Sequence, residues 1–207
     1  MHTYDAILFD FDGVLVDSEP VHFQCWSEIL SDFGLSLQWE SWAAECIGVS
    51  DRQMLERMSR QVNPPIDVDT LYATYPRKRD RFRQLMEERM PFFEGARELF
   101  ESLRGYKLAL VTSSGRAEVE PVLRKAGLFE YFSATVCFGD VVRIKPAPDP
   151  YLKAAELLAA KRPLVVEDSD AGAESGRAAG FDVLRVVTPA EVPDALRKKL
   201  EALAKVW

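Results

Sequence analysis

Apolar runs and amphipathic stretches are unevenly distributed along the chain. The first run, Ile7, Leu8 and Phe9, is apolar at consecutive positions and stops at an acid, which predicts a strand buried on both faces, as in a parallel sheet. From Asp17 the pattern turns helical. Phe23, Trp26, Ile29, Leu30 and Phe33 recur at helical spacing, and Gly34 suits the position just past a helix end. A shorter amphipathic piece covers Trp39 to Ile47. After Gly48, Val49 and Ser50 comes a third helix carrying Met54, Leu55 and Met58, with Ser50 and Gln53 at capping-box spacing. Trp26, Trp39 and Trp42 are expected in a small apolar core. Asn63, Pro64 and Pro65 break the pattern, and a long polar helix is predicted from about Asp69 to Arg89.

Beyond Pro91 strand and helix patterns alternate, as in α/β folds. A helix near Gly95 to Leu103 precedes a strand from Lys107 to Val111, which ends in Thr112, Ser113 and Ser114. A helix from Ala117 to Ala126 stops at Gly127, and Ala134 to Cys137 is a short strand. Asp149 and Pro150 have the N-cap and first-turn signature of the next helix. Leu164 to Val166 is a buried strand running into Glu167 and Asp168. A small-residue helix, Ala171 to Ala179, closes at Gly180, followed by a strand from Val183 to Val187 and a helix from Glu191 to Lys205. The first strand therefore belongs with strands that resume only after residue 105. This predicts an α/β core formed by residues 1–15 and 92–207, with a helical insertion at 16–91. Such an insertion is expected above the carboxyl ends of the strands, where open α/β sheets bind ligands, as a lid.

Composition narrows the class. With 207 residues, 47% hydrophobic and 29% charged, the chain has an ordinary globular balance, and its net charge of -7 disfavours nucleic-acid binding. Cys25, Cys46 and Cys137 match neither a disulfide framework nor a zinc pattern and read as reduced, buried side chains. The start, MHTYDAILFD, lacks signal-peptide character, and no apolar run approaches the ~18 residues needed to span a bilayer. A cytoplasmic protein without a membrane partner is expected. No sustained apolar surface pattern stands out, which favours a monomer.

The chemistry centres on the strand ends. Asp10 and Asp12 alternate to the same side of an extended segment and repel one another unless one is protonated or a cation lies between them. Taken alone, the pair is also an ordinary acidic turn. Thr112 and the amides of Ser113 and Ser114, at a strand-to-helix junction, form an oxyanion site or simply a turn. Lys145, held extended by Pro146, is a counter-charge or a solvated lysine. Glu167 and Asp168 form a second acidic pair at the end of a second buried strand, and two such strands call for a metal.

These pieces, D-F-D-G-V at 10–14, the apolar run ending at Thr112, Lys145 in I-K-P-A-P-D-P-Y and V-V-E-D-S-D-A-G at 165–172, resemble the haloacid dehalogenase superfamily in order and spacing. The resemblance spans essentially the whole chain. It implies a Rossmann-like parallel-sheet core with an α-helical cap inserted after the first strand, and a magnesium-dependent aspartyl-phosphate mechanism on a small-molecule phosphate ester. Asp10 would be the nucleophile and Asp12 the proton carrier. Thr112 would hold the phosphoryl oxygens and Lys145 would neutralise charge. Asp10, the main-chain carbonyl of Asp12, Glu167 and Asp168 would hold magnesium. Asp12 points to phosphate esters rather than dehalogenation.

In the cap, His22, Gly48, Val49, Ser50, Arg77, Lys78 and Asp80 resemble the β-phosphoglucomutase branch. There the histidine assists proton transfer and cap residues grip the sugar. This makes His22, Gly48, Ser50, Arg52 and Lys78 candidate substrate contacts beside Ser113 and Ser114. Within the basic run Arg77, Lys78, Arg79, Arg81 and Arg83, otherwise a solvated helix face, Lys78 is the candidate. Asp17, Ser18 and Glu19 stand where mutases carry D-T-A, and Asp51 where they carry arginine, so a sugar-phosphate phosphatase is expected ahead of a phosphomutase. A receiver-like phosphoacceptor is disfavoured by the order of the groups.

Overall fold

The computed structural model describes residues 4–47 and 49–204. In chain order the elements are β1 (Ala6–Phe9), α1 (Glu19–Ser31), α2 (Trp39–Glu45), α3 (Asp51–Ser59), α4 (Val68–Tyr72) and α5 (Tyr75–Arg89). Then come α6 (Ala96–Ser102), β2 (Lys107–Gly115), α7 (Arg116–Ala126), β3 (Ala134–Phe138) and α8 (Asp149–Leu158). The chain continues with β4 (Pro163–Glu167), α9 (Asp170–Ala178), β5 (Asp182–Arg185) and α10 (Val192–Ala204). The described residues up to Asp17 and from Met90 onward form one compact unit, and Ser18–Arg89 form a second.

The first unit is a parallel sheet in the order β3-β2-β1-β4-β5. β1 is central and has no exposed residue, which explains its unbroken apolar run. Its side chains alternate. Ala6 and Leu8 join Ala109, Val111, Val136 and Val165 in one core layer against Tyr151, Ala154 and Leu158 of α8. Phe9 packs edge-on to Phe100 and Phe132 at 5.6 and 6.4 Å. Pairing of Leu8 with both Ala109 and Val165 sets the register on the two sides of β1. After β1 the chain crosses to β2, whereas β4 connects outward to β5 on the other side, so the strand order reverses between the parallel β1 and β4. In open α/β sheets the strand ends at such a reversal face the ligand. Asp10 follows β1 there and Glu167 closes β4.

The second unit is helical. Trp26, Ile29, Leu30, Leu35, Trp42, Met54, Leu55, Met58 and Leu71 are buried together. Ser50 caps α3 by accepting from the Gln53 amide, as its spacing predicts. Trp39 departs from expectation. It lies at the first turn of α2, 41% exposed, with its edge against Phe23. The expected helix from Asp69 to Arg89 is two helices. Asp67 caps α4 through the Thr70 amide, and the Thr74 hydroxyl donates to the Leu71 carbonyl where the chain breaks before α5. Side-chain hydrogen bonds of this kind compete with the helix ladder.

Smaller differences lie at element ends. Asp149 is the first helical residue of α8, with Pro148 in the cap position, and its carboxylate is paired with Arg143. β2 runs on to Gly115, β5 spans 182–185, and α10 begins at Val192 after a 3-10 turn at Pro189–Glu191. Lys205, the expected end of the last helix, lies outside the described residues. All three cysteines are free; Cys25 and Cys137 are buried and Cys46 only partly so.

Candidate active site

Asp10 is almost fully buried at the end of β1, where its amide donates to the Val166 carbonyl across the sheet reversal. Lys145, from the segment preceding α8, reaches into the same place. Its ammonium group donates to Asp10 Oδ1 at 2.9 Å, Glu167 Oε1 at 2.6 Å and the Val111 carbonyl at 3.0 Å. These three acceptors match the three N–H bonds of the ammonium. Burial alone pulls the Lys145 pKa down, but the Asp10 and Glu167 carboxylates outweigh it and raise it, keeping the group charged.

Glu167 has no exposed surface and is surrounded by donors. Oε1 also accepts from the Tyr151 hydroxyl at 2.8 Å, while Oε2 accepts from the Asp168 amide, the Ser169 amide and the Ser169 hydroxyl. Burial pushes its pKa up, but Lys145 and these hydrogen bonds prevail and hold it below the usual range. Gly172 makes room for this carboxylate: a Cβ built there would lie 1.7 Å from Oε1.

The neighbouring acids are strained the other way. Burial, and then the Glu167 charge, push Asp10 well above the ordinary carboxylate range. Burial together with Glu167 and Asp12 raises Asp168 to about 7. The Asp168 carboxylate lies over Gly13, which has φ +72° and where a Cβ would meet Oδ2 at 2.0 Å, so the close approach requires glycine. Asp10, Glu167 and Asp168 each offer an oxygen within 4.8 Å of the others. An all-oxygen set with excess negative charge suits a hard divalent cation. Asp12 does not share that cluster through its side chain. Its Oδ2 accepts from the Ser114 hydroxyl at 2.6 Å.

Thr112 is buried, and its hydroxyl oxygen accepts from the Ser114 amide at 2.9 Å. That bond occupies the oxygen and leaves the hydroxyl proton to be donated elsewhere. It also takes up the Ser114 amide that the oxyanion-site reading assigns to an anion, as a turn would. Ser113 lies beside these residues in β2.

In the helical unit the expected contacts are engaged with one another's surroundings. His22 stacks on Phe82 with ring centroids 4.2 Å apart. Lys78 is buried, lies over the same Phe82 ring at 5.0 Å, and pairs with Asp51 at 3.5 Å. Asp51 also accepts from the Trp26 indole at 2.7 Å. The solvated-face reading of the basic run therefore fails at Lys78. Arg52 is bound to Asp69 at 2.7 Å with Tyr72 beneath it, and Ser50 is the α3 cap. Gly48 lies outside the described residues. Tyr151 and Ser169 went unnoticed from the sequence, although Tyr151 ends the I-K-P-A-P-D-P-Y segment; what marks them is contact with Glu167.

Comparison with known proteins agrees with this constellation. The family model described as haloacid dehalogenase-like hydrolase matches residues 7–186. A fructose-1-phosphate phosphatase of Escherichia coli is 31% identical over 88% of this chain and 96% of its own. A phosphorylated carbohydrates phosphatase of Thermotoga maritima is 31% identical over 86% of this chain and 82% of its own. The crystal structure of a family IA, variant 3 hydrolase from Entamoeba histolytica superposes with a TM-score of 0.78 at 27% identity, over 95% of this chain and 90% of that one. Strand order, the acids at the ends of β1 and β4, the lysine between them and a match running through almost the whole core lead to one assignment: the chain belongs to the haloacid dehalogenase-like hydrolases.

Proposed function

We propose that this protein is a magnesium-dependent phosphatase that hydrolyses a small phosphate monoester, of the sugar-phosphate kind, through an aspartyl-phosphate on Asp10. That it is a phosphoric monoester hydrolase follows from its family and relatives. The observation that carries the finer reading is the buried Lys145 bridging Asp10 and Glu167 with the Asp168 carboxylate beside them.

Asp10 attacks phosphorus as the P–O bond to the leaving group breaks, and Asp12 gives its proton to the departing oxygen. Asp12 then takes a proton from a water that attacks the aspartyl-phosphate, releasing phosphate and restoring Asp10. Splitting the transfer in two lowers each barrier. Lys145 offsets the charge gathered on Asp10 and the phosphoryl group, and the Thr112 proton is available to a phosphoryl oxygen. Asp10, Asp168, Glu167 and the Asp12 carbonyl would hold the magnesium ion, which when bound supplies neutralising charge for the phosphoryl oxygens. Hydrolysis is preferred to mutase chemistry because both phosphatase relatives align along most of the chain and because Asp51, where mutases carry arginine, is spent on Lys78 and Trp26.

A panel of sugar phosphates with an aryl phosphate, in magnesium, is expected to release inorganic phosphate. No release from any member would refute the phosphatase reading. β-Glucose 1-phosphate with a trace of the 1,6-bisphosphate distinguishes the mutase: glucose 6-phosphate formed faster than free phosphate would reverse the preference. A net charge of -7 fits a small anionic substrate met in a cation-bearing site rather than a nucleic-acid surface. Among the described residues no helix is long and apolar enough to cross a membrane.

The metal reading predicts a pH-dependent stabilisation. Asp168 has its pKa raised from the ordinary range to about 7, so the folded protein binds this proton more tightly than the unfolded chain. The stability that protonation gives is present below about pH 4 and is lost as pH rises through about 7. A divalent cation holds the ionised form instead. Magnesium is therefore expected to raise the melting temperature more at about pH 8 than at about pH 5.5. An equal rise at both, measured by thermal denaturation, would contradict cation binding at these acids.

A further inference from the structure

We propose that the Ser114 hydroxyl positions Asp12 for its proton transfer. This rests on the reading of Asp12 as acid and base. Ser114 lies in β2 and Asp12 just past β1, strands that pair in parallel through Phe9 and Leu110, so the bond ties together the ends of two neighbouring core strands. Ser114 is itself anchored, since its amide donates to Thr112 Oγ1 at 2.9 Å. Its hydroxyl then donates to Asp12 Oδ2 at 2.6 Å, a length characteristic of O–H donation to a carboxylate.

A carboxyl group beside a glycine turn has rotational freedom that a proton carrier must lose, because proton transfer needs a defined donor–acceptor line. In the first half-reaction the O–H bond of Asp12 breaks as the proton passes to the leaving oxygen, and the electron pair stays on Asp12. In the second, a proton from the attacking water returns to the Asp12 carboxylate. Ser114 keeps its own proton throughout and serves as a positioning residue. Its place in the acidic network is distinct from that of Thr112, whose buried hydroxyl is left free to donate.

Leaving-group dependence separates this role from a structural one. Esters of alkyl alcohols need a proton in the transition state, whereas aryl phosphates with acidic phenols scarcely do. For Ser114→Ala we expect kcat/KM to fall about 10- to 100-fold on alkyl phosphates and no more than about threefold on 4-nitrophenyl phosphate. Ser114→Thr, which keeps a hydroxyl, should restore most of the alkyl-ester activity. An equal loss on both ester types in Ser114→Ala would overturn the inference. Asp12→Ala in the same series keeps the two claims apart. If Asp12→Ala shows no steeper dependence on the leaving group, the acid/base reading of Asp12 has failed. If it does and Ser114→Ala does not, only the positioning role of Ser114 falls.

Discussion

Asp10→Asn is expected to lower kcat by at least about 10^4-fold on every phosphate ester the wild-type protein hydrolyses, with the fold intact. Asparagine keeps the shape of the side chain and can still occupy the buried site at the end of β1, where Asp10 is 7% exposed. What it lacks is the anionic oxygen that would attack phosphorus. The loss should be the same for alkyl and aryl esters, because attack by Asp10 is required for both. Removal of a charge crowded by Glu167 and Asp168 should leave the melting temperature in metal-free buffer unchanged or higher, since burial and those carboxylates already disfavour ionised Asp10. Circular dichroism and steady-state assays on the same preparation check both parts. Residual turnover within about tenfold of wild type would remove Asp10 from the nucleophile's role.

Lys145→Met should cost both activity and stability, and this combination distinguishes it from Asp10→Asn. The methionine fills much of the same volume but leaves Glu167, which has no exposed surface, and Asp10 without their shared cation. Breaking a buried pair by removing one member typically costs about 3–5 kcal/mol, because the remaining charge is uncompensated. Activity should fall about 10^3-fold, from loss of charge stabilisation on the phosphoryl group. The stability deficit has a direction in pH. Lys145 holds the Glu167 pKa down, and with that restraint gone the carboxylate protonates more readily in the folded state. The variant should therefore recover part of its deficit as pH falls, and chemical denaturation at two pH values would show it. A deficit that grows in acid would mean that Lys145 is not neutralising these carboxylates.

The parts of the site legible in the sequence are those carried by local pattern. An apolar run that ends in an acid reads as a buried strand delivering that acid to the carboxyl end of the sheet, and it does so twice, at Asp10 and at Glu167. Lys145 and Thr112 follow from their places in short motifs. Contacts that join distant strands are another matter. Ser114 to Asp12 spans 102 positions, and Tyr151 meets Glu167 only because α8 packs under the face of the sheet that carries Leu8 and Val165. Neither serine nor tyrosine has a spacing that announces such a partner. At the break between α4 and α5 the Thr74 hydroxyl and amide both bond the Leu71 carbonyl, inside a stretch whose polar composition suits one long helix. Lys78 stood in a basic run that looked solvated, yet Asp51, Tyr75 and Phe82 enclose it.

The ordering of Glu167 and Asp168 also became clearer with geometry. Both were expected to hold a metal, but the two oxygens of Glu167 are engaged by Lys145, Tyr151, Ser169 and main-chain amides, whereas Asp168 has its carboxylate raised in pKa and laid over Gly13. Glu167 thus serves first as the anchor of Lys145, and Asp168 is the acid whose ionisation a cation would most favour.

The central claim is that phosphoryl passes through Asp10. It is tested most directly by acid-quenching the protein during turnover of a good aryl phosphate and locating the phosphoryl group by mass spectrometry of the peptide that contains β1. The expected result is a phosphoryl mass on Asp10 that is absent from Asp10→Asn. Full turnover with no phosphoryl enzyme at the earliest quench times, or a phosphoryl group on a different residue, would contradict the account.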